Sequence, residues 1–217
     1  MVKLNLLMRH AMATTDWFRN TSWSPEIEAN FLQKLGRARE KAQYLRIQAF
    51  HLEESHPTVA LDLLEQYFHL GDDLHMAQAY VQRARALTAL GRIEDALLSY
   101  DAAIERERQY PQVKTTALLD YVGLIVKAKI DQMFSPALKL LDEHGDSWVF
   151  PVERYRADGA RALLLEHFGR HKEAQVAATS AMTAASETHS GFRYHQDLGL
   201  VPASEDAFWI RVKTLAK

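Results

Sequence analysis

The chain contains no cysteine. Disulfide staples, thiolate catalysis and cysteine-bound zinc are therefore excluded, and the absence fits a reducing cytosol. It also lacks an excess of either charge. Its 26 basic and 28 acidic residues leave a formal net charge of -2, so no global field draws it to nucleic acid or to an anionic membrane. Long apolar runs are missing as well. No stretch approaches the roughly 20 apolar residues of a membrane-spanning helix. The first residues read MVKLNLLMRHAMA, a lysine followed by the short apolar run Leu4 to Met8, interrupted by Asn5 and closed by Arg9-His10. The apolar core of an export signal needs about 7–15 residues, so this segment predicts no export. Alternating apolar and polar runs of β-branched residues are absent, which removes the signal for strands. There is no Walker A, GxGxxG, G-x-S-x-G or H-E-x-x-H motif, and nothing implies a cofactor.

What remains is a chain of 217 residues, 47% hydrophobic and 25% charged, ample for a sizeable core. Its pattern is helical and repetitive. The clearest unit runs from Leu74 to Tyr110. Small Ala84 sits in a first helix and Gly91 in a turn, and Ala96, Tyr100 and Ala103 follow at +5, +9 and +12 from that glycine. A second unit has Ala162, Gly169, Ala174, Ala178 and Ala181 at the same offsets. Anchored on the second-helix alanine, four units emerge at Ala60, Ala96, Ala137 and Ala174, spaced 36, 41 and 37 residues apart. Two helices of a hairpin cross closely at such a position, and a small residue lets their backbones approach. The third unit lacks the turn glycine and has Gln132 in its place.

This pattern resembles the tetratricopeptide repeat, a helix–turn–helix unit of about 34 residues. The resemblance covers roughly residues 41–187. It implies an all-α fold, an α-solenoid of about four hairpins at 41–73, 74–110, 111–148 and 151–187. An aromatic-rich helical arm, residues 1–40, is expected to pack on the first hairpin. Residues 188–217 should form a loop and a capping helix from Ser204, since a solenoid must cover its open ends. In the arm, Ser24-Pro25-Glu26 signals a helix start. The following helix either breaks near Gly36 or runs on to about Glu54.

The family lines its concave face mainly with the first helix of each hairpin. Carried over by the alanine anchors, this places Gln78, Val81, Arg85 and Thr88 in the second hairpin. Leu119, Val122, Val126 and Lys129 come from the third, and Arg156, Gly159, Leu163 and Glu166 from the fourth. The first hairpin offers only apolar Ala42, Leu45, Ala49 and Leu52, which the arm is expected to cover. A groove with an apolar floor and a few cations suits a protein or peptide segment carrying acidic groups. The asparagines of the two-carboxylate clamp in chaperone-binding members are missing. The resemblance thus implies a non-catalytic, cytoplasmic protein-binding module: an adaptor, a dedicated chaperone or an inhibitor.

Two alternatives stay open. The loop Ser190 to Asp197 gathers Arg193, Tyr194 and His195 between glycines, as a ligand-binding or catalytic loop could, or as a capping loop with tucked aromatics would. Lys34, Arg37, Lys41 and Arg46 could form a basic stripe for RNA. His167 and His171 stand four apart, but Gly169 between them breaks the helix that a metal pair would need.

Overall fold

The computed structural model describes residues 16–145, 148–204 and 206–217. The expectation about export falls on residues 1–15 and lies outside them. Every regular element among the described residues is helical: α1 (Pro25–Arg37), α2 (Lys41–Leu52), α3 (Pro57–His69), α4 (Met76–Ala89), α5 (Ile93–Gln109), α6 (Ala117–Ala128), α7 (Phe134–His144), α8 (Pro151–His167), α9 (His171–Ala185) and α10 (Ala207–Leu215). No described helix is long and apolar enough to cross a membrane. The chain divides into two compact units, residues 1–115 and 116–217.

In the first unit α2 packs on α3 and α4 on α5, with α3 and α2 also meeting α4. In the second, α6 pairs with α7 and α8 with α9, and α8 also meets α6 and α7. The anchors explain the pairing. Ala60, Ala96, Ala137 and Ala174 are each 0% exposed, as expected where two helix backbones approach and no larger side chain fits.

Two of the four hairpin turns, the second and the fourth, are built on a glycine. Gly91 and Gly169 adopt left-handed backbone with φ of 72° and 71°. In each case the next residue donates back to the preceding helix, Arg92 N to Leu87 O and Arg170 N to Leu165 O, at 2.9 and 3.0 Å. That bond satisfies a carbonyl the helix end leaves open. In the third hairpin Lys129 takes the glycine's role, with φ 53° and ψ 50°, and Ile130 N donates to Ile125 O at 3.1 Å. Gly91 and Gly169 each precede their anchor alanine by five residues, whereas Lys129 precedes Ala137 by eight. A 3-10 turn, Asp131–Met133, fills the difference and contains Gln132. The first helix of this hairpin therefore ends three residues earlier than the alanine anchor implies.

The described part of the arm, from Trp17 to Leu35, packs on the first hairpin. Trp17 lies 5.4 Å from Phe31 and 4.9 Å from Tyr44, ring centre to ring centre. Gln48, fully buried in α2, holds it: its Oε1 accepts from Asn20 N (3.1 Å) and Nδ2 (2.8 Å), and its Nε2 donates to Asn20 O (2.8 Å). Leu45, Ala49 and Leu52 are 3, 0 and 0% exposed, so this apolar face is core. Helix α1 starts as its residues dictate. Ser24 accepts from Ile27 N, Pro25 opens the first turn, and Glu26 and Glu28 meet the positive helix end. The break before α2 comes at Ala38, in extended backbone, with Gly36 still inside α1.

At the other end α10 packs on α8 and α9. It begins at Ala207 rather than Ser204, because Asp206 accepts from Trp209 N at 2.8 Å and caps it. Val212 is 0% exposed, and Phe208 packs edge-on to Tyr155 at 5.6 Å.

Candidate partner-binding surface

The residues expected in the groove divide between the two units. In the first unit α4 places Val81 wholly in the core, 0% exposed. Gln78 is half-buried. Thr88 donates to Ala84 O at 2.8 Å, a bond within its own helix. Arg85 reaches across to the end of α2, where its Nη1 lies 3.3 Å from Glu53 Oε1. Glu53 is 5% exposed. A carboxylate taken out of water needs a cation, so Arg85 first serves the packing of α4 on α2.

In the second unit Val122, Val126 and Leu163 are 1, 4 and 4% exposed and belong to the core. The reason is common to all three and to Val81. An apolar side chain on the inner face of a first helix is largely covered by the next helix, and of the four only Val126 and Leu163 keep an edge on a cavity. Gly159 is also covered. A Cβ there would stand 2.7 Å from Phe208 Cζ, so α10 occupies this position itself. Arg156 pairs with Asp120 of α6, which holds α8 to α6. Glu166 accepts from or pairs with His171 Nδ1 at 2.8 Å. His167 packs edge-on to Phe134 at 4.7 Å, so the two histidines turn to different partners. Among the described residues no cluster of three or more His, Asp or Glu could hold a metal.

The structure does bring four of the expected residues together. Val126, Lys129, Leu163 and Glu166 meet around a cavity of about 190 Å³ in the second unit, with Asp131, Phe134, His167 and Arg211. The floor is apolar and the rim is charged. Lys129, in the left-handed turn that ends α6, is exposed. Arg211 is the member that residue patterns missed. It lies on α10, read only as a cap, and its one signal is a polar position between Ile210 and buried Val212.

The two alternative sites fare differently. Lys34 and Arg37 lie on α1, Lys41 and Arg46 on α2, and the extended break at Ala38 separates them. Arg46 is half-buried, and its Nε is enclosed without a hydrogen-bond partner. Burial lowers its pKa below the ordinary arginine range. One continuous basic stripe is therefore not built. In the loop, Phe192 stacks on Phe150 at 5.5 Å, while Tyr194 is 80% exposed with Arg193 over its ring at 5.3 Å. His195 is exposed too. Ser190 ties the loop to itself, accepting nothing from a neighbouring helix: its N donates to Gln196 O and its Oγ to His195 O. Gly199 anchors the loop's end: its O accepts from Val152 N at 2.8 Å, and Phe150 fills the space a side chain at this position would need. The three polar side chains converge on no cavity among those described.

Comparison of the chain with protein-family models, with curated proteins and with solved structures returns no match.

Proposed function

We propose that this chain is a tetratricopeptide-like helical-repeat protein of the cytoplasm, without catalysis of its own, that binds another protein or a peptide segment bearing acidic groups. Adaptor, dedicated chaperone and inhibitor are the roles such a module fills. The observation that carries the reading is the cavity of about 190 Å³, where apolar Val126, Leu163 and Phe134 lie beneath Lys129 and Arg211. A cavity of that size takes one apolar anchor side chain, and its charged lining, Lys129 and Arg211 beside Asp131 and Glu166, offers the acidic groups of a partner two cations in competition with two acids. The paired helices and the fully buried anchor alanines support the repeat reading.

The test starts with the tagged protein purified from its native source and a stoichiometric companion identified by mass spectrometry. The purified pair is then titrated calorimetrically with wild type and with Lys129→Glu/Arg211→Glu. Arg85 and Arg156 are poor probes, because both hold neighbouring helices. A loss of at least about tenfold in affinity, equal to 1.4 kcal/mol, supports the reading. A companion that binds the double variant unchanged overturns it.

A further inference from the structure

The side of α8 that borders the partner cavity continues beneath α10. Tyr155, Gly159, Leu163 and Glu166 recur at spacings of four, four and three residues, so they lie along one side of that helix. Leu163 and Glu166 line the cavity. The other two meet α10. Phe208 packs edge-on to Tyr155 at 5.6 Å. A Cβ at Gly159 would stand 2.7 Å from Phe208 Cζ and 3.2 Å from Val212 Cγ2. Glycine inside a helix costs stability relative to alanine, and here it leaves the notch into which α10 fits. Arg211, beside Val212 in sequence, is the residue by which α10 reaches the cavity.

Docking of α10 therefore sets the charge of the cavity. With α10 in place, Lys129 and Arg211 stand against Asp131 and Glu166. With α10 lifted, Lys129 alone faces the two acids, and a partner bearing acidic groups is repelled. The dock itself is light. Of the nine residues of α10 only Val212 is fully buried. Phe208 and Trp209 are half-buried, and Ile210 is 52% exposed. Upstream, Gly199 O accepts from Val152 N at 2.8 Å, and the described residues between Gly199 and α10 form no helix. A short helix held in this way opens locally at lower cost than the unit unfolds.

We propose that α10 is a strap: its closure over Gly159 delivers Arg211 to the cavity, and an acidic occupant of the cavity holds the strap closed. Phe208, Val212 and Gly159 are then positioning residues for binding, although only Arg211 faces the occupant. The coupling rests on the cavity being the partner surface, and the experiment separates the two. An occupant that pairs with Arg211 favours the closed strap, and closure favours the occupant by the same factor.

The probe is the synthetic peptide acetyl-Glu-Glu-Leu-Glu-Glu-amide, one apolar anchor flanked by acids. It is titrated to about 10 mM, enough to saturate a millimolar site, while the amide resonances of Lys129 and Arg211 are followed in a ¹⁵N–¹H correlation spectrum. Both should move saturably. Hydrogen exchange of a fragment spanning 207–215 is then measured at ten times the dissociation constant, where closure should be favoured and exchange slowed by about tenfold. Arg211→Gln should weaken the peptide by about threefold, the weight of an exposed ion pair, and abolish the slowing. Phe208→Ala/Val212→Ala should free α10 and weaken the peptide by the same factor, with no further loss when Arg211→Gln is added. A peptide that moves neither resonance overturns the cavity as a partner surface and the strap with it. A peptide that binds, yet leaves exchange in α10 unchanged or slows it equally in Arg211→Gln, refutes the strap alone. That comparison needs no packing variant, so it decides even if Phe208→Ala/Val212→Ala unfolds the unit.

Discussion

Replacing Gly159 by alanine sets two known effects against each other at one atom. Gly159 lies inside α8, where alanine is favoured over glycine by about 1 kcal/mol. Its added methyl would meet Phe208 Cζ at 2.7 Å, Phe208 Cε1 at 3.0 Å and Val212 Cγ2 at 3.2 Å. The first of these contacts is too short to persist, and overpacking of this kind costs about 1–3 kcal/mol. The strain need not unfold the unit. Val212 is the one residue of α10 that is fully buried, and burying such a side chain gives only about 1.5–3 kcal/mol. Lifting α10 off α8 is therefore the cheaper response. Gly159→Ala should leave the global melting temperature within a few degrees of wild type, while amide exchange across α10 accelerates by about tenfold, the equivalent of 1.4 kcal/mol. Hydrogen exchange with mass spectrometry on a peptide spanning 207–215 measures this. Phe208→Ala in the same background should remove most of the further effect of the methyl, since the two side chains then no longer collide. If Gly159→Ala slows exchange in α10 and raises the melting temperature, helix propensity alone governs the position and the docking argument fails.

Three further outcomes follow from individual residues. Gln48→Ala removes three hydrogen bonds to Asn20, each contributing about 0.5–1.5 kcal/mol. The arm should loosen by about 2–3 kcal/mol, seen as faster proteolysis at Arg19 and red-shifted tryptophan emission; an unchanged cleavage rate contradicts this. Lys129 carries the left-handed backbone of the third turn, so Lys129→Val should lose about 1–2 kcal/mol in urea unfolding while Lys129→Gly loses nothing. Equal midpoints for the two variants would show that the turn is unstrained. His51 has its pKa lowered by burial and by nearby Arg19. The unfolded chain therefore takes up that proton first, and stability should decline as pH falls through about 6.5. His51→Gln should flatten this slope in urea midpoints measured between pH 8 and 5, and a slope unchanged by the substitution would assign it to other groups.

Much of the helical plan was legible because its causes are local. Ser24 before Pro25, Pro57 and Pro151 at helix starts, and Gly91 and Gly169 at turns act over a few residues, so they can be read in order along the chain. The anchor alanines worked for a related reason: a close helix crossing demands a small residue at one fixed distance from the turn. That logic failed at the third hairpin. A lysine can adopt left-handed backbone at modest cost, and no residue type announces it, so the turn moved to Lys129 and the 3-10 turn went unseen. The expected groove suffered from the same limit. Periodicity shows that Val81, Val122, Val126 and Leu163 share faces with polar neighbours, but not which face another helix covers.

The sequence by itself determined that the chain makes paired helices, where most of them begin and end, and that neither disulfides nor cysteine-bound metal take part. Only the tertiary structure decided which polar groups are spent on packing. Arg85 meets Glu53 across 32 residues, and Arg156 meets Asp120 across 36. It also decided that α10 would close over Gly159 and bring Arg211 beside Lys129. Helix formation depends on hydrogen bonds four residues apart, whereas the burial of a charge or the opening of a cavity depends on neighbours that the linear order leaves far away.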